Sequence, residues 1–184
     1  MSKEIKEVDS KDEEQRARIK EIFDRIEIIN NEKIIKGSVD LSFLELTELP
    51  DLSDISIKDG SFDIANNKLT SFKGSPKSVD WHVYADNNEI ADLCGAPAHI
   101  GSFFSCEYNN LTTLENCPQD IKGSLFFRNN ALVSIRGVPE IDYGNFTADN
   151  ISHDDYKKYI EDTKLLKTVD SETASLFANL ITTI

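Results

Sequence analysis

The sequence between Gly37 and about Ile151 repeats itself with a fixed step of 21 residues. Three residue types keep the same phase over four successive repeats: Pro76, Pro97, Pro118 and Pro139; Asn67, Asn88, Asn109 and Asn130; Leu69, Ile90, Leu111 and Leu132. A chain with such a period builds one structural unit repeatedly, and each unit buries its apolar edge only against its neighbours. The repeat therefore predicts a solenoid.

Within each repeat, two apolar columns lie two residues apart: Phe62, Val83, Phe104, Leu125 and Phe146, then Ile64, Ala85, Cys106, Phe127 and Ala148. Alternation with period two indicates a short strand with one buried face. The asparagine follows three residues later, where an inward amide can bond backbone groups as the chain leaves the strand. A period of roughly 20 to 29 residues with this core is typical of leucine-rich repeats. We predict an α/β leucine-rich repeat solenoid with a short, curved parallel β-sheet and a structural asparagine ladder.

The predicted organisation has three parts: an N-terminal helical cap over residues 1–36, the solenoid over 37–151 and a C-terminal helical cap over 152–184. Four regular repeats are flanked by two degenerate ones, as expected at the ends of an array. The first repeat is offset by 23 residues from the second. The last has Ile151 where the asparagine is expected, with Asn150 one position early.

The N-terminal part contains one predicted helix. Residues 1 to about 9 are expected to be frayed, and Ser10 to Glu13 has a capping-box pattern. An apolar stripe at helical spacing follows at Ile19, Ile22, Phe23, Ile26 and Ile29. We expect this helix to cover the open edge of the first repeat. A helix that binds a partner is the alternative.

The C-terminal part is also predicted to be helical. Ser152 is followed three residues later by Asp155, and Tyr156, Tyr159, Ile160 and Leu166 are expected on the inner face. A second apolar stripe comprises Leu176, Phe177, Leu180, Ile181 and Ile184. We expect it to pack over the last repeat, with self-association as the alternative. The chain is thus predicted to be a monomer, or a dimer through its C-terminal helix.

Charge and cysteine usage limit the function classes. The net charge is −13 and the sequence pI about 4.6, which argues against direct binding to nucleic acid or to an anionic membrane and leaves basic protein partners open. The three cysteines have neither metal-ligand nor C-x-x-C spacing, which favours reduced thiols over redox or metal chemistry. Without an apolar signal core or a membrane-spanning stretch, the chain is expected to be cytoplasmic.

No catalytic constellation is recognisable in the sequence. There is no glycine-rich phosphate loop and no G-x-S-x-G elbow, and His82, His99 and His153 lie in different contexts. We therefore predict that the protein is not an enzyme and uses no metal or cofactor.

The residues between the buried columns are the more informative ones, because outward side chains of stacked strands form the usual binding surface of a solenoid. Large aromatic residues occur at these positions, and aromatic residues and arginine are enriched at interface hot spots. The candidate protein-binding residues, expected on a concave face, are His82, Tyr84, Asp86, Phe103, Glu107, Tyr108, Phe126, Arg128 and Asp149. Coverage of these rings by another part of the same chain is the alternative.

The stretch from Ser75-Pro76-Lys77-Ser78-Val79 to Asn88-Glu89-Ile90 resembles the short repeats of leucine-rich repeat proteins encoded by tailed bacteriophages. Those repeats run P-x-x-V-x-G-x-F-x-C-x-x-N-x-L-x-x-L-x-G-x-P. Gly60, Gly123 and Gly144 keep the glycine of the pattern and Cys106 its cysteine, whereas Trp81 and Ser102 depart from it. The repeats are also similar to those of secreted bacterial effectors, although the ubiquitin-ligase domain that some carry would not fit in this chain. The phage resemblance implies a protein of the infected bacterium's cytosol that acts on a host protein, and it supplies no catalytic residues.

Two functional hypotheses follow from these observations. The first is a binding module that captures and modulates or inhibits a bacterial host protein with a basic surface, such as a defence component. The second is an acidic nucleic-acid mimic that occupies the basic groove of a nuclease or another DNA-binding protein. Residues 37–144 contain 16 acidic and 7 basic residues, so most of the charge imbalance lies in the repeats.

Overall fold

The computed structural model describes residues 3–141, 144–149 and 151–166, which form a parallel-strand β-solenoid of about five turns with two helices. The elements in chain order are α1 (Lys3–Asp24), β1 (Glu27–Ile29), β2 (Glu32–Lys36), β3 (Val39–Asp40), β4 (Ile55–Lys58), β5 (Phe62–Asp63), β6 (Ser78–Val79), β7 (Val83–Tyr84), β8 (His99–Ile100), β9 (Phe104–Ser105), β10 (Asp120–Ile121), β11 (Leu125–Phe126), β12 (Phe146–Thr147) and α2 (His153–Leu166).

The strands form two six-stranded sheets. The front sheet has the order β3-β5-β7-β9-β11-β12, and the return sheet has the order β1-β2-β4-β6-β8-β10. All pairings are parallel except that of β1 with β2. In the front sheet the register pairs Phe62 with Val83, Val83 with Phe104 and Phe104 with Leu125. The 21-residue step of the sequence is therefore the step from one turn to the next.

The return sheet corrects the expectation of a single sheet. His99 begins β8 of this second sheet, and it pairs with Ser78 on one side and Asp120 on the other. Each return strand from β6 onward has two residues, of which the second is buried. The core thus lies between two sheets, with the apolar columns of the front strands on one side.

Core phenylalanine rings connect successive turns. Phe72 and Phe104 have ring centroids 5.7 Å apart, as do Phe104 and Phe127, and Phe127 lies 6.2 Å from Phe146. All four side chains are almost completely buried. Edge-to-face and tilted aromatic pairs contribute about 0.5 to 1.5 kcal/mol each beyond their buried area, so the series stabilises the stacking of turns directly.

Each repeat asparagine joins its own turn to the preceding one. The Asn109 Oδ1 atom accepts a hydrogen bond from the Ile90 amide at 2.9 Å, and its Nδ2 atom donates to the carbonyls of Ala85 (2.9 Å) and Glu107 (3.1 Å). Asn67, Asn88 and Asn130 bond the equivalent backbone groups. These amides satisfy buried backbone groups at the point where the chain leaves the strand and has no ladder partner there.

The N-terminal helix departs from its predicted bounds. It begins at Lys3 rather than Ser10, and it ends at Asp24. Ile29, which was expected on its apolar stripe, lies instead in an antiparallel hairpin formed by β1 and β2. The two hairpin-turn residues, Asn30 and Asn31, both have positive φ angles of 52° and 65°, which is the geometry of a tight two-residue turn that asparagine tolerates.

Side chains of the N-terminal region bond backbone carbonyls of the first turn. Gln15 Nε2 donates to the Leu44 carbonyl (2.9 Å) and Arg18 Nη1 to the Ser42 carbonyl (3.1 Å). Arg25, just after α1, donates to two further carbonyls at 2.8 and 2.9 Å. Ile22 is 2% exposed and belongs to the core. Polar side chains of this region thus bond carbonyl groups at one end of the array.

Helix α2 begins as the sequence predicts. Ser152 Oγ accepts a hydrogen bond from the Asp155 amide, and the Asp155 carboxylate accepts one from the Ser152 amide. The Tyr156 ring stacks on Phe146 with centroids 5.0 Å apart, and its hydroxyl donates to the Pro139 carbonyl. The helix therefore packs against the last phenylalanine of the core series.

Several sequence-based expectations concern residues outside the described part of the chain. These are the displaced Asn150, the second C-terminal stripe from Leu176 to Ile184, and dimerisation through it. The structure describes the backbone of Leu166 but not its side chain. In the described ranges, neither helix combines the length and apolar character that a membrane span needs.

The asparagine clamp gives a direct stability prediction. Asn109→Ala should lower the free energy of unfolding by about 3 kcal/mol or more, because it leaves the Ile90 amide and the Ala85 carbonyl without their buried partner. The neighbouring Asn110 is exposed, so Asn110→Ala should change stability by less than about 0.5 kcal/mol. Chemical denaturation of both variants measures the difference, and equal losses would contradict the clamp.

Candidate protein-binding surface

Four of the predicted site residues form an aromatic cluster on the outer face of the front sheet: His82, Tyr84, Phe103 and Phe126. The His82 and Phe103 rings are stacked with centroids 4.0 Å apart. Phe103 also makes edge-to-face contacts with Tyr84 at 5.1 Å and with Phe126 at 5.7 Å. This cross-strand packing preorganises the cluster, because each ring restricts the rotamers of the next.

The aromatic cluster is half-buried. Part of this burial comes from contact among the four rings themselves. The described residues therefore leave an apolar surface accessible to solvent, rather than hiding these rings inside the fold. Burial also lowers the pKa of His82, and its Nδ1 atom has no hydrogen-bond partner among the described residues. The position of the His82 ring in this cluster is fixed by its stacking on Phe103.

A carboxylate column lies beside the cluster. Asp86 and Glu107 occupy the same repeat position on successive turns, and Asp63, which the strand register pairs with Tyr84, interacts electrostatically with Asp86 from the preceding turn. The Asp86 carboxylate accepts hydrogen bonds from Ser105 Oγ (2.6 Å) and from the Glu107 amide (2.7 Å). The pKa of Asp63 is raised by burial and then by Asp40 and Asp86. Burial and Asp86 likewise raise the pKa of Glu107, opposed by Arg128. Among the described residues, no lysine or arginine nitrogen lies within 4.0 Å of these three carboxylates.

The return sheet differs from the front sheet in its ion pairing. Three acidic side chains in or beside its strands are paired: Asp54 with Lys33 at 2.6 Å, Asp80 with Lys58 at 3.2 Å, and Asp120 with Lys122 at 2.6 Å. His99 is also within 2.6 Å of Asp120, which places it in this ion-pair network and away from the aromatic cluster. The front-sheet carboxylates Asp63, Asp86 and Glu107 have no such ion pair among the described residues.

Arg128 and Asp149, the remaining predicted site residues of the last turns, lie toward the C-terminal end of the front sheet. Both are exposed, and Asp149 accepts a hydrogen bond from the Asn129 amide. Together with Phe126 and His153 they border an open depression of about 610 Å³ between the sheet and the start of α2. The binding candidates thus form a continuous strip from the aromatic cluster toward α2.

A row of left-handed backbone positions borders the carboxylate column on its other side. One residue per turn has a φ angle between 55° and 59°: Phe43, Asn66, Asn87, Tyr108 and Asn129. Asparagine tolerates this conformation, whereas a large aromatic residue adopts it at a cost of order 1 kcal/mol or more. Tyr108 is 54% exposed and Phe43 is 74% exposed. Sequence reasoning missed Phe43 because the first repeat is two residues longer than the others.

The structure brings together no set of three or more histidine, cysteine or acidic side chains arranged for a metal ion in residues 3–141, 144–149 and 151–166. The thiols of Cys106 and Cys117 are buried, and burial raises the pKa of both. Cys94 is exposed and lies on the return side. The buried thiols therefore behave as small apolar groups.

No family model, no curated protein and no solved structure matches this chain. The functional argument therefore depends on the surface geometry described above.

The carboxylate column predicts an unusual pH dependence. Folding raises the pKa of Asp63, so at pH values between its unfolded-state pKa and its folded-state pKa the folded state binds more protons than the unfolded state. Stability therefore falls as the pH rises through this interval. Asp63→Asn should therefore raise the melting temperature at about pH 7 and leave it unchanged at about pH 3, where the carboxyl group is protonated in both states.

Asp51 provides a control of opposite sign. Hydrogen bonds from Ser53 lower its pKa, so the ionised form is favoured by folding, and that contribution is lost as pH falls. Asp51→Asn should therefore not raise the melting temperature at about pH 7. A thermal melt series across pH measures both variants, and destabilisation by Asp63→Asn at neutral pH would contradict the assignment.

Proposed function

We propose that this chain is a non-enzymatic protein-binding module that uses the outer face of its front sheet to bind a bacterial host protein with a basic surface. In this proposal the solenoid is of the leucine-rich repeat type, related to repeats of tailed bacteriophages, and acts in the host cytosol by modulating or inhibiting its partner. A host defence component is one such partner class. The N-terminal and C-terminal helices would act as caps on the two ends of the array.

The observation that carries this proposal is the difference in ion pairing between the two sheets. On the front sheet, a preorganised aromatic cluster lies beside three carboxylates that have no cationic partner among the described residues. On the return side, Asp54 and Asp80 pair with lysines of the preceding turn, and Asp120 pairs with Lys122 of its own turn. Unpaired carboxylates beside apolar rings raise the energy of the free surface, and a partner's basic side chains would relieve that cost.

The repeat type and the capping role have their own support. The 21-residue step and an asparagine that bonds two successive turns are the features expected of short leucine-rich repeats. Gln15 and Arg18 bond carbonyls of the first turn, and Tyr156 packs on the last core phenylalanine. Such contacts are what a solenoid needs where no further repeat covers its ends.

A second candidate function is mimicry of nucleic acid. It is favoured by Asp63, Asp86 and Glu107, which place one carboxylate on each of three successive turns with no described lysine or arginine nitrogen within 4.0 Å. Such a column could occupy a basic groove by charge alone. The two candidates differ in salt dependence, because charge-only binding weakens steeply with ionic strength and apolar contacts do not.

The proposal is tested with the double variant Tyr84→Ala/Phe126→Ala, which removes two rings of the aromatic cluster. Both rings are half-buried, so we expect a loss of about 1 to 3 kcal/mol in stability and a folded protein. Proteins of a bacterial lysate that the wild-type chain retains should bind the variant with an affinity at least about 30-fold lower. Affinity capture with mass spectrometry, followed by titration of each retained protein, measures this.

His99→Ala is the matched control, because it removes a half-buried ring from the return sheet. It should leave the retained proteins unchanged. Equal retention by the wild-type chain and the Tyr84/Phe126 variant would contradict binding through the front sheet. Retention that disappears at high salt in the wild-type chain, and that the ring variant does not weaken, would support mimicry instead.

A further inference from the structure

The left-handed row contains two residues that the local backbone does not favour. At the same position of the repeat, Asn66, Asn87 and Asn129 are suited to positive φ, whereas Phe43 and Tyr108 are not. An aromatic residue kept in such a conformation indicates either a packing role or a role in binding. The structure allows these two explanations to be separated.

A packing role is not supported by the exposure of the two rings. Phe43 is 74% exposed although α1 runs close to it, with Arg18 and Gln15 bonding the carbonyls of Ser42 and Leu44 on either side. Tyr108 is 54% exposed, and it has no ring partner among the described residues. Within the described part of the chain, neither ring gains enough burial to compensate for its strained backbone.

The position of the rings shows which surface they extend. Tyr108 directly follows Glu107, and Phe43 belongs to the turn that carries Asp40, next to the turn of Asp63. The row and the aromatic cluster therefore border the carboxylate column on opposite sides. Phe43 and Tyr108 are three turns apart, which corresponds to about 14 Å at the ordinary strand spacing.

We propose that Phe43 and Tyr108 are anchors for arginine side chains of the partner, which would lie against these rings while pairing with the carboxylate column. This inference depends on the proposed function of the front sheet and specifies the chemistry of its partner. Arginine fits better than lysine because its planar guanidinium stacks on an aromatic face and bonds a carboxylate through two nitrogens at once. The uncompensated charge of Asp63, Asp86 and Glu107 supplies the electrostatic complementarity.

The test compares two fluorescent peptides of equal length and charge, one alternating arginine with serine and the other alternating lysine with serine. General attraction to a chain with net charge −13 acts on both peptides alike, so the ratio of their dissociation constants measures what the guanidinium group adds over the ammonium group. We expect the wild-type chain to bind the arginine peptide at least about fivefold more tightly. A peptide in which citrulline replaces arginine should not bind, because it keeps the shape and loses the charge.

The decisive variant is Phe43→Asn/Tyr108→Asn, which gives these turns the residue found in the other repeats. It should lower the arginine preference by the part that ring stacking supplies, while leaving the melting temperature unchanged or higher, since asparagine suits the left-handed backbone. Val133→Asn removes an apolar side chain that is 77% exposed and lies outside both the row and the aromatic cluster, and it should keep the preference.

The outcomes distinguish this inference from the proposed function. An unchanged arginine preference in Phe43→Asn/Tyr108→Asn overturns the anchor role, and the front sheet remains the binding surface if Tyr84→Ala/Phe126→Ala still loses the host protein. A lowered melting temperature in Phe43→Asn/Tyr108→Asn would overturn it as well, by showing that the rings pack against the same chain. Equal binding of both peptides by the wild-type chain excludes arginine recognition.

Discussion

The fold depends on one recurring interaction, the asparagine amide that bonds backbone groups of two successive turns. A two-residue front strand has few ladder hydrogen bonds of its own, and the chain must turn immediately after it. The amides of Asn67, Asn88 and Asn109 satisfy the buried backbone groups at that bend, where water cannot reach. Neighbouring turns are therefore held in one register, and every outward column is aligned as a consequence.

The register also determines the composition of each face, because it aligns one residue from every turn in a single column. Residues 21 apart in sequence lie side by side, so the charge of a face is set by what successive repeats carry in one column. Lysine recurs beside aspartate on the return sheet, and the charges pair across turns. On the front sheet Asp63, Asp86 and Glu107 have no described lysine or arginine nitrogen within 4.0 Å, and burial raises the pKa values of Asp63 and Glu107. The array thus has one face whose charges pair internally and one whose charges do not.

Much of the fold could be predicted from the sequence, because the front strands obey two periods at once. Phe62 and Ile64 alternate with outward residues, and the same pair recurs after 21 residues. The return strands could not be predicted, since Ser78–Val79 and its equivalents are too short for alternation to register. The helical stripe that includes Ile26 and Ile29 wrongly predicts helix where β1 of the hairpin lies. The adjacent Asn30-Asn31 pair, which is typical of a tight turn, indicates the hairpin instead. The repeat positions in the sequence were enough to predict which aromatic residues lie side by side. Whether a carboxylate forms an ion pair depends on side-chain contacts between turns, which the repeat positions do not show.

The first repeat shows why a regular pattern can hide a structurally equivalent position. Its two extra residues shift the phase, so Phe43 has no partner column when a step of 21 is applied, yet its backbone adopts the left-handed conformation shared by Asn66 and Asn87. The shared φ angle, rather than the sequence spacing, shows that Phe43 is equivalent to Asn66 and Asn87. Once the row is aligned by φ angle, two of its five members are aromatic residues that oppose the local preference of the backbone, and both rings are exposed. Because local preference and fold agree at most positions of a natural sequence, an exposed aromatic ring on a left-handed backbone needs a reason other than its own packing.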